Sequence, residues 1–294
     1  MIKYSAEVAA AKAAKRPIVA LESTIISHGL PRPLNLQVAQ EVESIVRGAG
    51  ATPATIALLD GVIHVGLEPA ELERIAVDEN IVKASTRDLA IIEESKQSAA
   101  TTVAATSHIA HLAGIDVFAT GGLGGVHRGH TYDESADLTE LAETPIIVVS
   151  AGVKSILDVA GTLERLETFG IPVLGYGTTK FPGFYLTDSG FTIEHQVESA
   201  VQIARIWHNR KALATADRAM LIANPVRNQM DLALHDEILR TGLAAAEREQ
   251  ITGKAVTPFL LEYFHTNSKG ESLRVNIEII KANSLLAAQI AIAL

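Results

Sequence analysis

A largely apolar run at residues 115–119 is followed at once by a glycine-dense segment, TGGLGG, at residues 120–125. Glycine loses more conformational freedom on folding than other residues, so such a loop is typical of places where the backbone approaches a ligand or adopts a positive φ. The apolar run predicts a strand, and open α/β sheets bind ligands at glycine loops that follow strands. A tight turn needed only for packing is the alternative.

The spacing of these glycines argues against a nucleotide cofactor. The residue three after Gly124 is His127, so the dinucleotide pattern GxGxxG is not met, and no GxxxxGK[ST] occurs. The ligand of this loop therefore has to be inferred from the charged and imidazole side chains that follow it.

Lys154 is the second informative position. Residues 145–149 (PIIVV) predict a buried strand, and residues 154–169 have the apolar periodicity of a helix. We therefore expect Lys154 in the first turn of a helix, where the helix dipole is positive. The dipole and partial burial both favour a neutral amine, which attack on a carbonyl to form a Schiff base requires. A solvated lysine near a helix start is the alternative.

Composition restricts the class of protein. Of the 294 residues, 48% are apolar and only 4% aromatic, which is typical of an aliphatic α/β core with strands buried on both faces. The formal charge of −9, without a Lys/Arg block, argues against a nucleic-acid or anionic-membrane surface, although a basic pocket for one phosphate stays open.

The chain has no cysteine, which excludes disulfides, thiol nucleophiles and cysteine-ligated zinc. Its first 17 residues carry charges throughout and predict an amphipathic helix rather than a signal peptide. No apolar run reaches membrane-spanning length. We expect a soluble cytoplasmic protein.

Strand and helix patterns alternate along the chain. A predicted strand at residues 17–21 ends at Glu22, residues 23–33 form a polar loop, and Asp60-Gly61 marks a hairpin within residues 55–65. Further predicted helices cover residues 34–49, 68–78, 87–97, 101–113, 195–219, 231–250, 257–264 and 271–294. The pattern predicts an α/β fold: a single layered α/β/α domain over residues 1–294, with a central mixed, largely parallel sheet and a helical C-terminal third. A boundary near residue 190 is the alternative.

Glu22 lies where a buried strand gives way to a loop. A carboxylate in that position can have a raised pKa and serve as a general acid. Capping of the following turn, together with Ser23 and Thr24, is an equally good interpretation.

Two histidines and two acids follow the glycine loop and could bind a divalent ion: His127, His130, Asp133 and Asp137. The HExxH glutamate is absent, so a zinc-protease site is not predicted, and aspartate oxygens suit Mn²⁺ or Mg²⁺. A solvated polar loop is the alternative.

Lys83 and Arg87 form a small basic cluster that would suit a phosphate, unless they only begin an exposed helix. Ser150 and Lys154 are four residues apart rather than the three of SxxK, and no GxSxG occurs, so serine hydrolysis is disfavoured. Four further histidines have no partner visible in sequence and are interpreted as structural: His64, His108, His111 and His235.

Eight ordered blocks of this sequence resemble the pseudouridine-5′-phosphate glycosidases, also called the indigoidine synthase A-like family. They are ALESTIISHGLP (20–31), KASTRDL (83–89), AATTVAAT (99–106), TGGLGGVHRG (120–129), SADLTEL (135–141), AGVKSILD (151–158), NPV (224–226) and TPFLL (257–261). The blocks run essentially from end to end of the chain.

The resemblance implies an enzyme, pseudouridylate synthase of the hydro-lyase class, that reversibly cleaves the C–C glycosidic bond of pseudouridine 5′-phosphate to uracil and ribose 5-phosphate. It also implies one divalent ion, usually Mn²⁺, a layered α/β/α fold and a homotrimer. In family terms Lys154 resembles the residue that forms the imine, Glu22 the proton donor and His127 a histidine of the site. Asp133 matches the metal ligand, and the matches to substrate-binding positions are Lys83, Val103, Ser135, Ala136 and Asp137.

The chemistry deduced from the residues agrees with this resemblance. A C-glycoside has no leaving oxygen to protonate, so the two-carboxylate route of ordinary glycosidases does not suffice, whereas a lysine imine with the opened sugar supplies an electron sink. Many family members carry two more residues before the metal aspartate and a cysteine in place of Ser150. The alternatives are a Schiff-base aldolase acting on another sugar phosphate and a sugar-phosphate-binding protein without turnover.

Overall fold

A computed structural model describes residues 2–128, 133–251 and 256–294. In these ranges eleven strands form one hydrogen-bonded sheet, in the order β1-β4-β3-β2-β7-β8-β11-β9-β10, with β6 on β3 and β5 on β6. The strands are β1 Ile2–Tyr4, β2 Ile18–Leu21, β3 Thr52–Leu59, β4 Val62–Val65, β5 Val82–Ala84, β6 Ala99–Thr101, β7 Val117–Ala119, β8 Ile147–Ser150, β9 Val173–Tyr176, β10 His195–Val197 and β11 Met220–Ala223. β3 pairs antiparallel with β4 and β6, and the other pairings between these strands are parallel.

Helices cover both faces of the sheet. They are α1 Ala6–Ala13, α2 Leu34–Ala49, α3 Pro69–Val77, α4 Leu89–Ser95, α5 Val103–Leu112, α6 Ala136–Glu143, α7 Val159–Thr168, α8 Ala200–Ala212, α9 Leu232–Arg248, α10 Val256–Asn267 and α11 Glu271–Ala293. Short helical turns lie at Ile25–Gly29 (π) and Thr86–Asp88 (3₁₀). The predicted fold class, including the mixed, largely parallel sheet and the helical C-terminal third, is confirmed.

Successive side chains of the central strands enter two different cores. Phe118 of β7 packs with residues of α1, α5, α6 and α7, whereas Val117 and Ala119 pack with residues of α2, α8 and α11. This alternation follows from the two-residue period of a strand. Because both faces are covered, the central strands are mostly apolar along their length, which is the pattern that the composition predicted.

Helix α11 crosses the second face beside α2 and α8. By length and composition alone it could cross a membrane, but over half of its most apolar window is buried inside the protein. It is therefore a core helix, and its apolar sequence is explained by the sheet beneath it.

Several sequence predictions are confirmed closely. Helix α2 has the predicted bounds, and β3 and β4 form the predicted hairpin, in which Asp60 and Gly61 both have positive φ. Others are wrong: β1 replaces the start of the N-terminal helix, a π-helical turn lies inside the predicted loop 23–33, and β10 precedes α8. The three-residue strands β5 and β6 were missed because they are too short to show a period.

The most consequential error concerns Lys154, which is not in a helix. Helix α7 begins at Val159, where the Asp158 side chain accepts a hydrogen bond from the Gly161 backbone N–H at 3.0 Å. The apolar residues before it, Ile156 and Leu157, are buried in a non-helical turn. Their apolar side chains continue the helical spacing of α7 in the sequence although they lie outside the helix. The prediction that Lys154 lies in the first turn of a helix, at its dipole, is therefore wrong.

Candidate active site

The site forms at the ends of three neighbouring parallel strands. Glu22 follows β2, Thr120 follows β7, and the segment that carries Lys154 follows β8. Since neighbouring parallel strands end at one edge of the sheet, these residues are brought together by the topology. The Thr120 hydroxyl donates a hydrogen bond to Oε1 of Glu22.

The segment with Lys154 lies directly along the glycine loop. The Ala151 backbone N–H donates to the Gly121 carbonyl at 2.9 Å, and the Lys154 N–H donates to the Leu123 carbonyl at 3.2 Å. Val153 pairs with Leu123 as an isolated parallel bridge. These bonds fix the backbone of Lys154 although no helix contains it.

The glycines of the loop are required by packing against protein side chains. A Cβ at Gly122 would lie 2.6 Å from the Phe184 ring, one at Gly124 2.2 Å from the Ser135 hydroxyl, and one at Gly125 2.3 Å from that of Thr162. Their φ values lie outside the left-handed region. The packing alternative therefore accounts for these glycines, while the position of the loop at the sheet edge agrees with the prediction.

Asp137 joins the glycine loop to the start of α5. Its Oδ1 accepts a hydrogen bond from the Ala104 N–H at 3.0 Å, and its Oδ2 accepts one from the Gly124 N–H at 2.8 Å. Ser135 caps α6 by accepting from the Asp137 N–H at 3.2 Å. The predicted substrate-binding residues Ser135, Ala136 and Asp137 are thus brought beside Val103, the first residue of α5.

Four charged groups act on one another in this site. Burial raises the pKa of the Glu22 carboxyl, as does the Asp137 charge, whereas Lys154, the Thr120 hydrogen bond and Lys83 lower it. Desolvation and the Lys154 charge lower the pKa of Lys83, which lies on β5. Part of the Lys83 side chain nevertheless reaches solvent. The structure therefore brings together Glu22, Lys83, Asp137 and Lys154, which lie far apart in sequence.

The predicted metal ligands are only partly described. His127 Nδ1 lies 4.0 Å from Oδ2 of Asp133, and the His127 N–H donates to the Asp133 carbonyl at 2.9 Å. His130 lies outside the described residues. Within the described ranges no group of three potential ligands converges. Asp137 is not part of this pair, because both of its carboxylate oxygens are bonded to backbone N–H groups.

Other predicted residues lie away from this centre. The Arg87 side chain is 76% exposed and lies 3.7 Å from Asp88 in the 3₁₀ turn before α4, which agrees with the alternative of an exposed helix start. His64, His108 and His235 each contact a carboxylate, of Glu71, Glu140 and Asp236 respectively. These contacts agree with the structural interpretation of the three histidines.

Three asparagines at the site were missed as individual residues. Asn276 and Asn283 lie two turns apart on α11 and face the glycine loop, and Asn224 follows β11. The available signal was the pair of amide side chains within an otherwise apolar helix, because a buried amide needs partners. Asn224 belongs to the NPV block of the family resemblance.

Comparison with known proteins identifies the family. The family model described as "Indigoidine synthase A like protein" matches residues 7–293. This chain belongs to that family. Among curated relatives it is 55% identical to the pseudouridine-5′-phosphate glycosidase of Salinispora tropica, over 99% of this chain and 91% of the relative. The enzyme of the same name from Caldanaerobacter subterraneus is 48% identical, over 100% of this chain and 96% of the relative.

Solved structures agree with this assignment. The prealnumycin C-glycosynthase AlnA, in complex with ribulose 5-phosphate, superposes with a TM-score of 0.91 at 35% identity, covering 100% of this chain and 96% of AlnA. An indigoidine synthase A-like protein from Thermotoga maritima gives a TM-score of 0.90 at 35% identity, covering 99% of this chain and 96% of that protein. The fold is therefore that of a family with members that handle C-glycosides.

The packing of the glycine loop generates a stability prediction. We expect Gly124→Ala to lower the free energy of unfolding by about 1–3 kcal/mol, because the new methyl group would overlap the Ser135 hydroxyl and the Asp137 carboxylate. The matched control is Gly48→Ala in α2, where a Cβ meets nothing within 4 Å, and which we expect to stabilise by about 0.5–1 kcal/mol. Urea unfolding measures both. Equal effects of the two substitutions would contradict the packing assignment.

Proposed function

We propose that this protein is a pseudouridine-5′-phosphate glycosidase, which reversibly cleaves pseudouridine 5′-phosphate to uracil and ribose 5-phosphate. The observation that carries the proposal is the convergence of Glu22, Lys154 and Lys83 at one edge of the sheet, in a chain of this family. Full-length relatives at about half identity bear that name, and AlnA was solved with a sugar phosphate.

Lys154 is proposed as the nucleophile. In the condensation direction its amine and the open-chain aldehyde of ribose 5-phosphate form an imine and release one water. C5 of uracil then adds to the iminium carbon and loses its proton, and closure of the sugar ring releases the lysine amine. Cleavage is the reverse sequence, in which the amine opens the ring, C5 regains a proton and water releases the sugar.

Glu22 is proposed to move the proton at C5 of uracil. Its raised pKa keeps the carboxyl protonated to a higher pH than an ordinary glutamate. As a proton donor it is active below that pKa, so its contribution is lost as the pH rises through the raised value. Its hydrogen bond to Thr120 and its place beside Lys154 support this role.

A divalent ion, Mn²⁺ or alternatively Mg²⁺, is proposed to be held by His127 and Asp133. The imidazole nitrogen and the carboxylate oxygen lie 4.0 Å apart, and the hard carboxylate oxygen would suit such an ion. When bound, the ion supplies positive charge near the phosphorylated sugar. The hydrogen bond between their backbones would hold His127 and Asp133 side by side for that purpose.

The native form is proposed to be a cytoplasmic homotrimer. The family resemblance supports this proposal, and sedimentation of the purified protein measures the mass of the assembly. A Schiff-base lyase acting on another sugar phosphate uses the same lysine chemistry, and it differs in not requiring uracil.

We expect the protein to convert uracil and ribose 5-phosphate into pseudouridine 5′-phosphate, followed by ultraviolet absorbance and product mass. Borohydride added with ribose 5-phosphate should fix the sugar on Lys154. Lys154→Arg should bind the sugar phosphate without reacting, because a guanidinium stays protonated.

Peptide mapping separates Lys154 from Lys83, the other lysine of the site within the described part of the chain. An adduct on Lys83, or near-normal turnover of Lys154→Arg, would show that the imine assignment is wrong. Condensation of ribose 5-phosphate with an acceptor other than uracil, and none with uracil, would favour the alternative lyase.

Lys83 is expected to recognise the phosphate. Lys83→Ala should raise KM for pseudouridine 5′-phosphate roughly 10- to 100-fold, since a charge-assisted hydrogen bond contributes about 1.5–3 kcal/mol, and should affect unphosphorylated pseudouridine much less. The control is Lys211→Ala, because Lys211 pairs at 3.2 Å with Asp116 at the opposite end of β7. Equal losses for both substrates would exclude phosphate recognition by Lys83.

Removal of divalent ions is expected to abolish turnover, and Mn²⁺ to restore it. Asp133→Ala should lose both the restoration and the binding of Mn²⁺ measured by calorimetry, whereas Asp116→Ala should keep both. Full activity after exhaustive chelation would refute the metal proposal.

A further inference from the structure

Thr120 is the residue whose side chain holds the carboxyl of Glu22. It is fully buried, follows β7, and donates its hydroxyl hydrogen to Oε1 of Glu22. A threonine hydroxyl has a single hydrogen to donate. Because that hydrogen is directed at Oε1, a proton carried by Glu22 is left to the other oxygen, Oε2.

The backbone of Thr120 is fixed on two sides. Its N–H donates to the Val149 carbonyl of β8 at 3.0 Å. Its own carbonyl accepts from Nδ2 of Asn283 at 2.7 Å, and the same amide lies 3.4 Å from the Gly121 carbonyl. Asn283 is 1% exposed and belongs to α11, so a helix on one face of the sheet holds the loop at its edge.

Asn224 fixes which way the Asn283 amide points. Nδ2 of Asn224 donates to Oδ1 of Asn283 at 2.9 Å, which requires the NH₂ group of Asn283 to face the Thr120 carbonyl. The Asn224 N–H in turn donates to the Ser150 carbonyl of β8 at 2.8 Å. A chain of hydrogen bonds therefore runs from the end of β8, through Asn224, Asn283 and Thr120, to Glu22.

We propose that Thr120 is a positioning residue that directs the transferable proton of Glu22 to Oε2, and that Asn224 and Asn283 hold Thr120 in place for that purpose. This inference rests on the proposed role of Glu22 in proton transfer. The hydroxyl fixes the rotation of the carboxyl group, so the oxygen without this bond is the one available to the substrate. Bonding to the charged form also limits how far burial favours the protonated carboxyl.

Substitutions at Thr120 distinguish this role from a role in packing alone. Valine has the shape of threonine without the hydroxyl, so Thr120→Val keeps the packing and removes the bond, whereas Thr120→Ser keeps the bond. The matched control is Thr144→Val. Thr144 is 3% exposed and donates to a different carboxylate, that of Glu140, at 2.7 Å.

The pKa of Glu22 can be measured directly by NMR titration of the full-length protein with ¹³C-labelled glutamate carboxyls. The Glu22 signal is the one that is absent in Glu22→Gln. We expect Thr120→Val to raise the pKa of Glu22 by about one pH unit, because a hydrogen bond to the charged form is lost. Thr120→Ser should stay near wild type, and Thr144→Val should leave the Glu22 signal unchanged.

Kinetics provide the second measurement. Thr120→Val should lower kcat by about tenfold or more with KM nearly unchanged, since the proton donor is misdirected while the sugar phosphate still binds. Thr120→Ser should recover most of kcat.

The role of Asn283 is tested by a double-mutant cycle. Asn283→Leu should move the pKa of Glu22 in the same direction as Thr120→Val, and the double variant should add little, because Asn283 acts through Thr120. Thermal unfolding identifies variants that are merely unfolded, and if Asn283→Leu fails to fold, the Thr120 pair still decides the proposal.

An unchanged pKa of Glu22 in Thr120→Val, or additive effects in the cycle, would overturn this inference. The NMR titration does not depend on turnover. Failure of the proposed function would appear as wild-type protein without uracil condensation, while failure of this inference would appear as a Glu22 titration that does not respond to Thr120.

Discussion

Strand β7 is hydrogen-bonded to β2 on one side and to β8 on the other, and the candidate site depends on this pairing. The register aligns Leu21 with Ala119 and Ala119 with Val149, so that Glu22, Thr120 and Ser150 follow at the same level. The residues of the site thus start from strand ends that the sheet holds rigidly. Loops could not supply that precision without the buried strands beneath them.

The Asp137 carboxylate connects the glycine loop to α5, two segments that the strand pairing does not join. It accepts hydrogen bonds from α5 and from the glycine loop while being only 6% exposed. A buried carboxylate is tolerated there because both oxygens are paired with N–H groups. Its charge also reaches Glu22 and Lys83, so the same side chain that joins the loop to the helix affects the protonation of the site.

The amino-acid sequence was informative wherever local pattern and chemistry agree. Aliphatic runs predicted the central strands, Asp60-Gly61 predicted the hairpin, and the family blocks indicated Glu22, Lys83 and Lys154, which the structure brings together. The helical assignment of Lys154 failed because Ile156 and Leu157 are buried by tertiary packing rather than by a helix. Strands β5 and β6 were missed because three residues carry no measurable period.

The glycine loop illustrates a different limit of sequence reasoning. Glycine indicates that something lies close to the backbone, but the sequence does not say whether that neighbour is a ligand or another part of the protein. Here the neighbours are Phe184, Ser135 and Thr162, which come from three other segments of the chain. Only the three-dimensional contacts could distinguish the two cases.

Asn283 and Asn224 are explained by the need to pair buried backbone carbonyls where β7 ends. Where β7 ends, the Thr120 carbonyl points toward α11, and leaving it buried and unpaired would cost about 1–3 kcal/mol. An apolar residue at position 283 could not satisfy it. The amide of Asn283 does, and its own oxygen is satisfied by Asn224, so an otherwise apolar helix keeps a polar contact at the point where the loop needs it. The Asn283 side chain therefore serves both the packing of α11 on the sheet and the placement of Thr120 beside Glu22.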